Sequence, residues 1–403
     1  MFDKVINFFR PKANAEQILR SIAMRSFSDA GVSVSPEIAM RFSTVYSCVR
    51  LLSDTIAQMP CKLFKIESNG DKTPNRRNPL YNVLSLSPEN GLTAFDFWKK
   101  LIESFLLRGY AIARVIRNAQ GEVIRLIPIN SVYKIERDEF GKYIFTYRGK
   151  DGQNIELKQI DAFFSFFSVN DDMIPISPIE VNRNSIGLGI AAEKHGCNVF
   201  KSGGTPAGTL DYPGSLDKKV KDSIKEGWDA AYGINGVGGI AILEGGTKYS
   251  KISMSNEDAQ YLQTRQFQKQ DICGIFGVPP HLISDTAQAK GWSTMEQMMI
   301  EFITLTINPI TIRIEQSIKK LLIPRTDWKT DFAKFTTQGL LRGDTPTRKD
   351  YYATGIDKGF LTINEVRELE DLNSLSEAEI DKFKSNQKAA PAVSTTVKEK
   401  ENE

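Results

Sequence analysis

The spacing Gly187-x-Gly189-x-x-Ala192 is the first pattern in this 403-residue chain that could do chemistry. Glycines so spaced let a backbone approach a dinucleotide pyrophosphate at the start of a helix, provided a hydrophobic strand leads into them. Here Asn182-Arg183-Asn184-Ser185 leads in, and the glycines continue a helical run of small residues. Close packing along one helix face is therefore the stronger reading. No G-x-x-x-x-G-K-[ST] sequence occurs, so the P-loop phosphate cradle is missing. His195 and His281 are the only histidines. That is too few for a histidine-based zinc site, and a serine triad on either one is not expected. The carboxylate pairs Asp171-Asp172 and Glu370-Asp371 read as solvated turn and helix-surface residues. Cys48, Cys61, Cys197 and Cys273 form no C-x-x-C pair and read as buried free thiols of a reducing compartment. No catalytic, cofactor-binding or metal-binding residue is assigned, no cofactor is expected, and the chain is not expected to be an enzyme.

Composition narrows the class. Hydrophobic residues make up 41% and charged residues 25%, which suits a folded globular chain rather than a disordered one. The 52 basic and 49 acidic residues leave a net charge of only +3, far from the footprint of a tight DNA binder. No long Lys/Arg run suggests a membrane surface. No apolar window is long enough to span a bilayer, and the opening Met1–Arg10 holds Phe8 and Phe9 but no signal-peptide core.

The elements follow from periodicity and punctuation. Ser35-Pro36 is an N-cap with proline at the first helical position, and Val45, Cys48, Val49, Leu52 and Ile56 recur at helical spacing until Pro60. Residues 61–170 read as strands and turns, with helices near 79–85 and 94–107 and a hairpin around Asn118–Gly121. Residues 178–201 read as a small-residue helix. A compact insert follows, with a helix over Leu216–Ala231 and a strand at Ile240–Leu243. Asn256–Phe276 reads as a helix that is polar around most of its surface (Gln260, Gln263, Arg265, Gln266, Gln268, Lys269, Gln270), as expected of an exposed or wet-interface helix. After a polar loop, Ser293-x-x-Glu296 has the form of a capping box, and the helix it opens runs to Leu322, with a kink expected at Pro309. Residues 331–337 read as a strand, two short helices follow around Gly359, and residues 385–403 have a disordered composition. Together these elements predict an α+β protein rich in antiparallel sheet.

Several stretches resemble the portal proteins of long-tailed phages. They are Ser43-Thr-Val-Tyr-Ser-Cys-Val-Arg50 through Pro60, Asn78–Leu84 with Phe95–Trp98, Gly109–Arg114, and Leu126–Asn130. The strongest is Gly274-Ile-Phe-Gly-Val-Pro-Pro-His-Leu-Ile283 followed by Ser293–Pro324, and a weaker one is Gly359–Arg367. They run in order over about residues 36–375.

The resemblance implies the portal fold: a flexible segment 1–35, a wing 36–177, a stem helix 178–202, a clip 203–253, a second stem helix 254–280, a tunnel loop 281–292, a long kinked helix 293–324, a wing strand 325–337, a helical crown 338–384 and a disordered tail 385–403. It implies a head-tail connector, a homo-oligomeric, dodecameric ring at one capsid vertex of the virion, assembled in the host cytoplasm. The implied partners are the terminase large subunit, the major capsid protein, the head-tail adaptor and double-stranded DNA passing without sequence specificity; no membrane is implied. Gln288 and Lys290 would then meet DNA from the tunnel loop. Lys194, Lys201, Arg265 and Lys269 would face the channel from the stem, and Asp217, Lys218 and Trp228 are clip-interface candidates. For Trp228, packing within the clip core competes with an interface role, and for Lys290 an ordinary solvated loop residue does. Two rivals stay open on the residues alone: another structural capsid or tail component, and a nucleotide-binding enzyme using Gly187–Ala192.

Overall fold

A computed structural model describes residues 27–129, 131–149, 151–201, 208–211, 217–232, 248–251, 256–283, 292–336, 345–370 and 372–382. The chain divides into two compact units, Met1–Phe335 and Thr336–Glu403.

The first unit is built around two helices and holds four small antiparallel sheets among the described residues. Ser35 caps a single helical turn, Pro36–Ala39, its hydroxyl accepting from Ile38 N at 3.2 Å. The turn does not run on into the longer helix that the cap suggests. The chain breaks at Phe42, which is extended and buried, and α1 starts at Ser43 and ends at Ala57. The reason is tertiary: Phe42 has to turn inward beneath Gly189 of a later helix.

α1 buries Val45, Cys48, Val49, Leu52 and Ile56 along one face. Next come β1 (Cys61–Ile66), β2 (Lys72–Pro74), α2 (Pro79–Ser85) and α3 (Ala94–Arg108). α3 is fixed at both ends. Thr93 Oγ1 accepts from Asp96 N at 3.1 Å, Asp96 and Arg108 complement the helix dipole, and Gly109 closes it with φ +80°. Its face of Phe97, Trp98, Leu101, Ile102 and Phe105 is the centre of the core. The Trp98 ring meets Phe97, Phe163 and Phe335 edge-on, and its Nε1 donates to Leu84 O at 3.1 Å, so this large side chain is buried without an orphaned polar atom.

The strands continue with β3 (Tyr110–Arg117), β4 (Val123–Pro128), β5 (Val132–Arg137), β6 (Tyr143–Arg148), β7 (Asn154–Lys158) and β8 (Ala162–Phe166). They form two sheets of order β4-β3-β8 and β5-β6-β7, antiparallel throughout. Tyr143, Phe145, Phe164 and Phe166 join these sheets in an aromatic cluster.

Residues 178–201 form two pieces, a turn at Pro178–Val181 and α4 (Arg183–Lys201), parted at Asn182. In the insert, β9 (Gly208–Asp211) pairs with β10 (Lys248–Lys251), and α5 covers Lys218–Tyr232. The expected strand at Ile240–Leu243 lies outside the described residues. α6 is Asn256–Phe276. α7 begins at Trp292, so Ser293 lies within the helix and does not cap it. α7 ends at Phe302, and a π-helical turn at Ile303–Ile307 separates it from α8 (Asn308–Leu321). β11 (Asp331–Phe335) then pairs with β1, giving the sheet β11-β1-β2. A strand from the far end of the unit thus completes a sheet begun near its start.

The second unit contains α9 (Thr345–Asp357) and α10 (Ile363–Leu369), with Gly359 at φ +77° between them. Thr362 and Glu365 form a reciprocal capping box, Glu365 N donating to Thr362 Oγ1 at 3.2 Å and Thr362 N to Glu365 Oε2 at 2.7 Å. Tyr352 Oη donates to Glu370 Oε1 at 2.8 Å and ties the two helices together.

Candidate functional site: the helix pair and the irregular helix

Small residues let α4 approach the rest of the unit closely. A Cβ on Gly187 would sit 2.2 Å from Ser28 Oγ, and one on Gly189 would sit 2.9 Å from Phe42 Cζ. Gly187-x-Gly189-x-x-Ala192 is therefore a packing surface inside a helix. The residues leading into it are helical, without the strand a dinucleotide turn requires.

The channel candidates fall into separate environments. Lys194 is exposed on α4. Arg265 on α6 lies 3.7 Å from Glu193 on α4, with both side chains about a third exposed, so this ion pair spans the two helices. Such pairs contribute about 0–1 kcal/mol, which leaves the guanidinium free to exchange partners. Lys269 is exposed one turn along α6. Lys201 lies in α4, but its side chain is outside the described residues, as is that of Trp228 in α5. Asp217 and Lys218 are both exposed where α5 begins. Gln288 and Lys290 lie outside the described residues. The structure thus brings Lys194, Arg265 and Lys269 onto one helix pair and leaves Asp217 and Lys218 on the insert.

The polarity of α6 misleads in one respect. Gln268 is buried, at 6% exposure, while its neighbour Phe267 is 66% exposed. Ile272, Cys273 and Phe276 complete the buried side. A glutamine count alone places Gln268 outside; only the packing of Phe42 and Gly189 against it turns it in.

The expected kink at Pro309 takes another form. Pro309 sits at the start of α8, and the irregularity is the π turn just before it. A proline ring clashes with the carbonyl four residues back, here that of Leu305, inside the π turn. Widening that turn accommodates the clash. Thr306 Oγ1 donates to Gly277 O at 2.7 Å and fastens the π turn to the end of α6. Beside it lies a cleft of about 320 Å³ lined by Phe105, Phe167, Phe276, Leu305, Ile310 and Arg313. Arg313 Nη1 donates to the carbonyls of Phe166 and Phe167, pinning α8 to the end of β8.

Among the described residues no cluster of His, Cys, Asp or Glu could hold a metal ion, and no helix is long and apolar enough to cross a membrane.

Comparison with known proteins gives the arrangement its context. The chain is 30% identical over 372 residues to the probable portal protein of Streptomyces phage phiC31, covering 88% of this chain and 80% of that protein. It is 30% identical over 346 residues to the portal protein of Enterobacteria phage HK97, covering 85% and 81%. In fold it is similar to a chain from the neck of a native gene transfer agent particle computed with C12 symmetry. There the TM-score is 0.57 at 19% identity, covering 88% of this chain and 99% of that one. The family described as phage portal protein matches residues 43–371, from the first residue of α1 to just past α10, and the chain belongs to that family.

Proposed function

We propose that this chain is the ring-forming subunit of a phage head-tail connector, whose central channel passes double-stranded DNA into the capsid during packaging and out of it during ejection. The observation that carries this reading is the family match over residues 43–371. The fold likeness to a chain of a twelve-fold particle neck supports a closed ring of about that size. The role is structural rather than catalytic. The α4–α6 pair forms the stem, with Lys194, Arg265 and Lys269 toward the bore, joined by Lys201 and by Gln288 and Lys290 from the tunnel loop. The insert forms the clip, and Asp217, Lys218 and Trp228 there meet the terminase large subunit and later the head-tail adaptor. The wing faces the major capsid protein. Assembly takes place in the host cytoplasm and the product resides at the portal vertex of the virion.

Modest charge suits such a bore. Each neutralised phosphate adds affinity, and a strongly basic wall would hold the duplex instead of letting it slide.

Electron microscopy of the purified chain tests the reading. End-on averages are expected to show closed rings with a hole wide enough for duplex DNA. A particle that stays monomeric at high concentration, and also in the presence of capsid protein, sinks the proposal. Within assembled particles, Gln288→Ala with Lys290→Ala is expected to alter packaging or DNA retention while rings still form. Unchanged packaging would remove these two residues from the DNA path.

A further inference from the structure

One turn of the first unit departs from a repeated pattern. Six turns among the described residues share one hydrogen-bond scheme: the first residue's N–H donates to the fifth residue's carbonyl, and the fourth residue's N–H donates back to the first carbonyl. In all six the fourth residue is left-handed. Five turns place a glycine there: Gly31, Gly70, Gly121, Gly141 and Gly152. The sixth, Asn170–Ile174, places Met173 there, at φ +62°. A left-handed backbone strains a residue with a Cβ and suits glycine.

Local bonding explains how Met173 is held, not why it is a methionine. Asn170 Oδ1 accepts from Ile174 N at 2.8 Å, and Tyr143 Oη donates to Met173 O at 2.8 Å. A glycine would keep both bonds, because neither uses the methionine side chain. What methionine adds is an apolar side chain that is 50% exposed. Strain retained at a surface position calls for a contact made by that side chain. Duplex DNA is held through its phosphates by cations, and an uncharged thioether offers them nothing. The partner is therefore a protein.

A matching hollow lies on the same unit. The stretch Phe163–Phe167 separates two environments. Phe164 and Phe166 turn toward Tyr143, the residue that holds Met173. Phe163 and Phe167 turn the other way, toward Trp98 and Phe105 of α3. On that second side lies the cleft of about 320 Å³ walled by Phe105, Phe167, Leu305 and Ile310, with Leu305 66% exposed. Aromatic walls suit a methionine sulfur, and its unbranched chain adapts to an irregular hollow. Knob and hollow thus sit on opposite sides of one strand. A ring closed by rotation needs two such different faces, one meeting the other on the next copy. We propose that Met173 of one copy docks into the Phe105–Phe167–Leu305–Ile310 cleft of the next copy. This rests on the ring reading above and names one contact that closes the ring.

The test uses the full chain, with ring formation followed by electron microscopy and sedimentation. Met173→Gly is expected to leave the subunit at least as resistant to urea, because glycine relaxes the turn. The same variant should weaken association between subunits by about tenfold. Met173→Leu keeps an apolar side chain and should assemble as the wild type does. The cleft is tested by crosslinking. A Cys197→Ser chain, which lacks the exposed native thiol, would carry Met173→Cys and Leu305→Cys together. Treated with a short bismaleimide, its rings should yield covalent dimers and larger products, and either cysteine variant alone should not. Rings that form equally well with Met173→Gly, or double-variant rings that yield no covalent dimer, overturn this contact and leave the ring reading standing. A wild-type chain that forms no ring, alone or with capsid protein, overturns both.

Discussion

Single residues set local limits that substitution can expose. Gly109 and Gly121 both adopt positive φ, +80° and +84°. A Cβ on Gly109 would lie 2.1 Å from Ile176 O, whereas one on Gly121 meets nothing within 4 Å. Gly121→Ala is expected to cost about 1–2 kcal/mol, the strain of a left-handed alanine. Gly109→Ala adds a backbone clash that cannot relax by rotating a side chain, and should cost clearly more. Urea unfolding midpoints of the two variants compare them, and equal losses would contradict the clash. Glu315 provides a pH-dependent case. Burial pushes its carboxyl above the usual range, while the bond from Phe335 N at 2.8 Å pulls it back in part. Its folded pKa is raised, so its contribution is fully present below the unfolded pKa and is lost as pH rises through the folded one. Glu315→Gln keeps an acceptor for Phe335 N without the buried charge. It should match or exceed the wild type in stability at neutral pH, with the difference vanishing below the ordinary carboxylate range of about 4. Unfolding midpoints at acid and neutral pH would show it, and a variant less stable at neutral pH alone would reverse the assignment.

At the scale of elements, the informative one is the broken helix α7–π–α8. Periodicity predicts one continuous helix, and Pro309 marks where it cannot be regular. The sequence does not say how the strain is taken up. The structure takes it up in Ile303–Ile307, where Thr306 can reach Gly277 O. Thr306→Val keeps the side-chain shape and removes that bond. It is expected to cost about 1 kcal/mol of stability and to speed amide exchange through the π turn more than elsewhere in α8. Exchange measured peptide by peptide decides, and uniform acceleration along the helix would mean that the π turn is held by something else. The same reasoning explains the break at Phe42. Capping chemistry at Ser35 starts a helical turn, and the need to seat Phe42 under Gly189 ends it.

For the whole molecule, the balance of charge sets how a ring would treat DNA. A chain with net charge +3 carries little excess positive charge per subunit, and Arg265 already shares Glu193. Assembled rings are expected to bind duplex weakly, with a shallow dependence on salt and equal competition by unrelated sequences. Competition titrations on purified rings test this. A preference for one sequence, or a steep salt slope, would argue against a sliding channel.

The sequence by itself determined the α+β class, the order of the elements, the cap at Ser35 and the family. These depend on local spacing, or on ordered stretches such as Gly274–Ile283 that stand out without any knowledge of distant contacts. It also argued that Gly187–Ala192 is packing, because the missing strand is a local fact. Only the tertiary structure decided the rest. It set Gln268 inside and Phe267 outside, moved the helix irregularity ahead of Pro309, and paired β1 with β11 from the far end of the unit. Each of these depends on which distant residue fills the neighbouring space. Periodicity along one chain segment carries no information about that, because burial is a property of two surfaces and the sequence of a segment describes only one.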